Sequence, residues 1–249
     1  MNRHDRGEGD TGTTAAHDRA AELRSFGRRR GRKASDRQRA LMETLLPKLA
    51  VDPARMAAAP AEGLAALFAG HQPREVWLEI GFGGGEHLVW QARANPHVGC
   101  IGAEPFEDGV VKVLDQIDTH GLTNIRLLAD DVRPLLRALP EATISRAFVL
   151  FPDPWPKRRH VKRRLVSAHL LDLLARVLKP GAELRIGTDI GDYARTMLIA
   201  FQGEPRFEWQ AASPADWRIR PDDWPETRYE AKAEREGRRR YYLRFRRAG

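Results

Sequence analysis

A chain of 249 residues, 42% hydrophobic and 31% charged, has the length of one α/β domain and the composition of a soluble globular protein. No apolar run approaches the ~18 residues of a membrane span. The N-terminus lacks the apolar stretch of a signal peptide, and the single cysteine, Cys100, excludes an intrachain disulfide. No Cys/His cluster has zinc spacing, so no metal is expected, and the cytoplasm is the expected compartment. The net charge of +8 favours a polyanionic partner and says little about fold.

Residues 1–35 are rich in Gly, Thr, Arg and Asp and lack apolar periodicity, which predicts a disordered basic extension ahead of a domain over 36–249. The extension ends in Arg28, Arg29, Arg30, Arg32 and Lys33, either a solvated tail or an arm beside a nucleic-acid site. Asp36 to Leu49 reads as a helix with Leu41, Leu45 and Leu49 on one face, and Ala54 to Phe68 as a second, Ala-rich helix. From Val76 onwards strands and helices alternate. Strands are predicted over Val76–Ile80, Val98–Ala103, Ile125–Leu128, Arg146–Phe151 and Glu183–Gly187. Helices are predicted over Glu86–Ala94, Glu107–His120, Val132–Ala138 and Arg164–Leu178, the last stopped by Lys179-Pro180-Gly181. A helix over Asp192–Gln202 and closing strands over Phe207–Trp209 and Tyr241–Phe245 complete the chain. This alternation implies an α/β fold with a mostly parallel sheet covered by helices on both faces.

The first strand runs into Glu79-Ile80-Gly81-Phe82-Gly83-Gly84-Gly85. Glycines there let the backbone turn sharply and approach a ligand, and ligands of open α/β sheets bind at the carboxyl ends of strands. Glu104 ends the second strand, where an acid can accept both ribose hydroxyls of a nucleoside. Asp131 follows the third, where an acid can take an adenine amino group. A dinucleotide fold is the rival, but its G-x-G-x-x-G pattern meets Glu86 at the sixth position. Glu79 suits the ammonium of a methionine moiety better than a pyrophosphate. Glu79, Gly81, Gly83, Glu104 and Asp131 therefore point to S-adenosylmethionine. A glycine turn that merely packs helix on sheet leaves the three carboxylates unexplained.

The fourth strand leads into Pro152-Asp153-Pro154-Trp155-Pro156-Lys157. Nucleic-acid amino-methyltransferases often follow this strand with a polar residue, prolines and an aromatic that stacks on the base. Two prolines stiffen the loop around Asp153. The bland alternative is a Pro-rich turn with Trp155 in the core. Against it, Lys157, Arg158, Arg159, Lys162, Arg163 and Arg164 follow at once and read as a phosphate clamp.

Phe151-Pro-Asp-Pro-Trp-Pro-Lys-Arg-Arg-His160 with Lys162-Arg163-Arg164 resembles the signature of bacterial tRNA (guanine-N7-)-methyltransferases. Leu78-Glu-Ile-Gly81, Gly102-Ala-Glu104, Gly187-Thr-Asp189 and Thr227-Arg-Tyr-Glu230 fall in that family's order, and the likeness runs from about Ser25 to the C-terminus. The resemblance implies a Rossmann-like class I methyltransferase fold with a seven-stranded sheet. It implies S-adenosyl-L-methionine contacts from Glu79, Glu104, Asp131 and Asp153, and tRNA or guanine contacts from Lys157, Asp189, Thr227, Arg228, Tyr229 and Glu230. It also implies methylation of the variable-loop guanine at conventional tRNA position 46. The basic extension and the segment Asp216–Pro225, with Trp217 and Trp224, depart from a minimal member of that family.

Guanine N7 attacks through a lone pair outside the aromatic sextet and loses no proton, so Asp153 reads as an orienting and charge-compensating residue rather than a base. Asp189 either fixes a base edge or caps the following helix. Glu230 either accepts from guanine N1 and N2 or is an exposed loop acid. Arg235 to Arg247 carries seven arginines against Glu236 and either forms a strand edge or widens an RNA-binding face. A methyltransferase for another RNA, or a non-catalytic RNA-binding module on the same fold, are the competing functions.

Overall fold

The computed structural model describes residues 34–249. The expected N-terminal extension, with its arginine arm, lies outside the described residues apart from Ala34 and Ser35. The Ser35 hydroxyl accepts from the Gln38 amide while the Gln38 side chain accepts from the Ser35 N–H, a capping box that opens α1 (Asp36–Thr44). Pro47 makes the rest of the expected first helix a separate turn, α2 (Leu46–Leu49). Pro60 divides the second into α3 (Pro53–Ala58) and α4 (Pro60–Leu67), because a residue preceding proline is pushed out of the helical region.

The sheet follows: β1 (Glu75–Ile80), β2 (Val98–Ala103), β3 (Ile125–Leu128), β4 (Ile144–Leu150), β5 (Leu178–Thr188), β6 (Phe207–Trp209) and β7 (Tyr241–Arg247). Its seven strands run in the order β3-β2-β1-β4-β5-β7-β6. β1 to β5 are parallel, and β7 lies antiparallel between β5 and β6. Strand order reverses between β1 and β4, so the crevice at their carboxyl ends is where such a sheet binds its ligand. The connecting helices are α5 (Glu86–Ala94), α6 (Glu107–His120), α7 (Val132–Ala138), α8 (Ala168–Val177), α9 (Gly191–Gln202), α10 (Ala215–Arg218) and α11 (Arg228–Arg235).

Alternation along β1 builds two cores. Val76, Leu78 and Ile80 face one side with Leu135 of α7, Leu174 of α8 and Met197 of α9. Trp77 faces the other with Leu88 of α5, Leu114 of α6, Phe148 and Trp224. Each such side chain contributes roughly 1.5–3 kcal/mol when fully buried. Two expected elements begin or end elsewhere. α8 starts at Ala168 rather than Arg164, because Ser167 caps it through the Leu170 amide and the basic run instead forms a 3₁₀ turn over Arg158–Arg163. β5 starts at Leu178, its Lys179-Pro180-Gly181 stretch being accommodated by a register shift against β4 between Ile144 and Arg146.

Candidate active site

The loop after β1 turns on three glycines in the left-handed region, Gly81 at φ 75°, Gly83 at 56° and Gly85 at 80°. That conformation favours glycine, and a Cβ at Gly85 would sit 2.1 Å from Val113. Glu104, buried at the end of β2, is pinned by this loop: its Oε2 accepts from the Gly83 amide at 2.8 Å and its Oε1 from the Phe106 amide at 2.9 Å. Each oxygen keeps a further lone pair, as a ribose diol requires. Burial pushes the Glu104 carboxyl above its ordinary range against the opposing pull of those amides, and neighbouring Asp153 adds to the rise. Glu79 is 4% exposed, and its Oε2 lies 2.7 Å from His87 Nδ1.

Past β4 the chain enters Pro152-Asp153-Pro154 between two non-glycine residues with left-handed backbone, Phe151 at φ 51° and Trp155 at 42°. Each such conformation costs on the order of 1–3 kcal/mol and persists only where its surroundings enforce it. Phe151 is held by the bond its amide donates to the Gly187 carbonyl at 2.8 Å, and the far side of the loop by Arg164. Its Nε donates to the Pro154 carbonyl at 2.9 Å, Nη1 to Thr196 Oγ1 at 2.6 Å and Nη2 to Asp192 Oδ2 at 2.5 Å, with the guanidinium over the Tyr193 ring. Asp153 is left accessible to solvent, yet enough protein surrounds it that desolvation raises its carboxyl. Lys157, Arg158, Arg159 and Lys162 are exposed beside it, and the Arg163 guanidinium lies over the Trp155 ring. The expected phosphate clamp thus loses Arg164, which faces inward as the anchor of the loop, and Trp155 packs against Arg163 and His160 at the site rather than in the core.

The segment 227–230 starts α11. Thr227 and Glu230 form a capping box: Thr227 Oγ1 accepts from the Glu230 amide, and Glu230 Oε2 accepts from the Thr227 amide at 3.0 Å. Glu230 is 1% exposed, and its other oxygen accepts from the Tyr242 hydroxyl at 2.8 Å. Arg228 and Tyr229 project the other way. A Cβ built at Gly83 would lie 3.1 Å from the Tyr229 ring and hydroxyl and 3.2 Å from Arg228 Nη2; one at Gly84 would lie 3.0 Å from the Arg228 guanidinium. Arg228 also stands 3.6 Å from Glu86 and draws the Glu104 carboxyl downward. The start of α11 therefore lies directly on the glycine loop.

The acids and the open glycine turn fit S-adenosylmethionine. Glu79, Glu104 and Asp153 at neighbouring strand ends match its cationic sulfonium and ammonium and its ribose diol, and a Cβ added at Gly81 would meet open space. A pyrophosphate would face uncompensated carboxylates.

A family model described as "Putative methyltransferase" matches residues 73–243. A tRNA (guanine-N(7)-)-methyltransferase of Rhodospirillum rubrum is 50% identical, covering 91% of this chain and 88% of its own. Its namesake from Ruegeria pomeroyi is 51% identical, covering 89% and 93%. The chain belongs to the tRNA (guanine-N(7)-)-methyltransferase family. Among solved structures, a 16S rRNA methyltransferase, KamB, is similar at a TM-score of 0.54 and 18% identity, covering 74% of this chain and 94% of its own. A 16S rRNA (adenine(1408)-N(1))-methyltransferase mutant from Catenulisporales acidiphilia reaches 0.51 at 18%, covering 80% and 94%. Both share the Rossmann-like class I methyltransferase fold expected from the sequence.

Within this methyltransferase, several expected site residues have protein partners. Asp131 caps α7 through the Arg133 amide at 2.9 Å and holds the Arg133 guanidinium. Burial raises its carboxyl, but the bonds from Arg133 outweigh that and bring it below its ordinary value. Asp189 does not cap α9, whose N-cap is Ile190; its Oδ2 accepts from Arg238 Nε at 2.6 Å. Glu230 is buried rather than an exposed loop acid, and its oxygens accept from Thr227 and from the Tyr242 hydroxyl.

Three groups have no counterpart in the sequence reading. His87 and Gln91 stack one turn apart on α5, a spacing that was visible but carried no motif. Asp223 takes a two-pronged contact from buried Arg185, with Nη1–Oδ1 and Nη2–Oδ2 both 2.8 Å. Buried Trp224 packs edge-on against His87 and Tyr242. The segment 221–224 is therefore a strap across the β4–β5–β7 face, and it leads straight into α11.

Proposed function

We propose that this protein transfers a methyl group from S-adenosyl-L-methionine to N7 of a guanine in tRNA, the guanine of the variable loop. The observation that carries the reading is the stiff Asp153 loop at the end of β4. It is electrostatically coupled to Glu104 on one side and bordered on the other by the exposed cations Lys157, Arg158, Arg159 and Lys162. When bound, S-adenosyl-L-methionine supplies an electrophilic methyl that accepts the N7 lone pair while the carbon–sulfur pair returns to sulfur.

The chain's own residues position and compensate charge. Glu104 and Glu79 hold the ribose and ammonium ends, and Gly81 to Gly85 give close backbone approach. Asp153 faces the purine ring, which gains positive charge as the methyl arrives, and a fixed carboxylate stabilises that charge without taking a proton. The basic turn meets RNA phosphates. Asp131 contributes at the adenine end through the capped start of α7, and Asp189 borders the substrate side with Arg238. Arg228 and Tyr229, on the glycine loop, touch both ligands. The single buried cysteine, its thiol pushed up to about 12 by burial, is inert and suits the reducing cytoplasm.

The test is mass spectrometry of nucleosides from bulk tRNA incubated with protein and S-adenosyl-L-methionine, with fragment mapping. N7-methylguanosine in variable-loop fragments is the expected result, with turnover lowered by orders of magnitude in Asp153→Ala. Another methylated nucleoside, or the same nucleoside in another RNA, refutes the assignment.

A further inference from the structure

Glu79 is the most deeply buried carboxylate at the strand ends, and a carboxylate there needs a partner that fixes its orientation. His87 is that partner. Its ring is 1% exposed, lies 4.6 Å centroid to centroid from Phe148 in an edge contact and is covered on a further side by Trp224. The surrounding bonds assign its tautomer. Gln91 Nε2 lies 3.0 Å from the Asp223 carbonyl oxygen, which only accepts, so that atom is the amide nitrogen. Asn95 Nδ2 donates to Gln91 Oε1 at 3.2 Å, in the same sense. The same Nε2 lies 3.1 Å from His87 Nε2 and therefore donates to it. An accepting Nε2 puts the ring proton on Nδ1, pointing at Glu79 Oε2 2.7 Å away.

We infer that His87 is a positioning residue for the cofactor: as an Nδ1–H donor oriented by Gln91, it fixes the Glu79 carboxylate for the ammonium of the methionine moiety. This rests on the reading of Glu79 as a cofactor contact. The arrangement resembles an orienting shell around a ligand-binding group, in which the second partner sets the direction of the first. It also ties Glu79 to the strap, because Gln91 bonds His87 and the Asp223 backbone with one amide nitrogen.

Asparagine and leucine at position 87 separate positioning from packing. An asparagine side-chain nitrogen falls where His Nδ1 sits and keeps a donor toward Glu79; leucine fills the space without one. S-adenosylhomocysteine, which keeps the ammonium and lacks the transferable methyl, is titrated calorimetrically into full-length wild type, His87→Asn, His87→Leu, Glu79→Gln and the His87→Leu/Glu79→Gln double variant. Thermal melts check folding. Affinity is expected to fall about tenfold or more in His87→Leu, the scale of one hydrogen bond to a charged group, and to stay within about threefold of wild type in His87→Asn. With S-adenosyl-L-methionine and tRNA, the loss in His87→Leu appears in the cofactor KM while kcat is largely kept. In the double variant the leucine adds little to the loss from Glu79→Gln.

Equal losses in the Asn and Leu variants, or none in Leu, overturn the role of His87 while leaving Glu79 intact. Full affinity in Glu79→Gln instead removes Glu79 from the cofactor site and His87 with it. Nitrogen-15 NMR of the His87 ring gives an independent reading: a proton on Nε2 and none on Nδ1 overturns the assignment without any ligand present.

Discussion

Arg164→Ala separates the two roles that an arginine in a basic run can have. The Arg164 guanidinium is almost wholly buried and donates to the Pro154 carbonyl and the Thr196 hydroxyl. Each bond from a charged donor is worth about 1.5–3 kcal/mol. Its pair with Asp192 adds little, because the Asp192 side chain is 70% exposed and such pairs are screened to about 0–1 kcal/mol. Relief of the buried charge offsets part of the loss, so the net cost is about 2–4 kcal/mol. At this chain length that lowers the melting temperature by roughly 5–15 °C. The freed Pro154 carbonyl lets the Asp153 loop relax, so turnover is expected to fall about tenfold or more even with both substrates saturating. The slope of log affinity for tRNA against log salt is expected to stay at the wild-type value, because Arg164 meets no phosphate. Arg159→Ala is the contrast: melting temperature unchanged and the slope reduced by about 0.7–0.9. Calorimetric melts and filter binding across a salt series measure both. A reduced slope with an unchanged melt in Arg164→Ala refutes the inward reading of this residue.

Asp223→Ala removes the two-pronged contact to Arg185 and leaves that buried guanidinium with Glu183 as its main partner. A loss of about 2–3 kcal/mol is expected in denaturant unfolding, with weaker cofactor binding because the strap carries Arg228 and Tyr229; an unchanged midpoint refutes it. Gly83→Ala forces an alanine to φ 56° and its methyl onto Tyr229, so calorimetric cofactor affinity falls, and Tyr229→Ala restores part of it; no loss in Gly83→Ala contradicts the geometry. Burial, assisted by Asp153, raises the Glu104 carboxyl. In the free protein, Glu104 therefore contributes stability that is present at acid pH and declines as pH rises from the ordinary glutamate value of about 4.3 to the raised one. Cofactor affinity runs the opposite way, falling as pH drops through that raised value, because only the carboxylate accepts from both ribose hydroxyls. Titrations across pH in an Asp153→Asn background isolate the effect, and an affinity flat down to about pH 4 refutes it.

β1 to β4 were legible because each is a short apolar run bounded by turn residues. Glu79 and Glu104 stood out because charge at a buried strand end has few explanations other than a ligand, and Asp153 because two prolines flank it in the loop after β4. What was lost depended on partners distant in the chain. Nothing local distinguishes Arg164 from Arg163; the difference lies in Thr196 and Asp192, about thirty residues on. Asp223 meets Arg185 across 38 positions, so the segment around Trp224 carried no signal beyond an unusual composition. Helix α11 was missed because its sequence, Arg228–Arg235, buries only Glu230 and Ala233, too little for an apolar stripe. The breaks at Pro47 and Pro60 were readable from the residues preceding each proline, and a continuous apolar pattern across them hid the boundary.

The segment Thr227-Arg-Tyr-Glu230 is set against the glycine loop by the geometry of its helix start. Residues at i and i+3 of a helix start share one face, so a capping box made by Thr227 and Glu230 commits that face to the interior. Tyr242 completes the interior contact through its hydroxyl. The two residues between are then directed outward, and with Trp224 locking the preceding turn they have one place to go: Arg228 beside Gly84 and Glu86, Tyr229, 41% exposed, against Gly83. Within this four-residue motif, Thr227 and Glu230 anchor the helix start while Arg228 and Tyr229 stand on the glycine loop. Thr227→Val is expected to cost about 1 kcal/mol in unfolding, the scale of a lost helix cap, and to weaken cofactor and tRNA together. Arg228→Ala is expected to leave the melt unchanged and to alter cofactor affinity directly, since its guanidinium lies on the glycine loop. An Arg228→Ala variant that binds S-adenosylhomocysteine like wild type, and loses only tRNA affinity, would return this residue to the substrate side and refute the shared role.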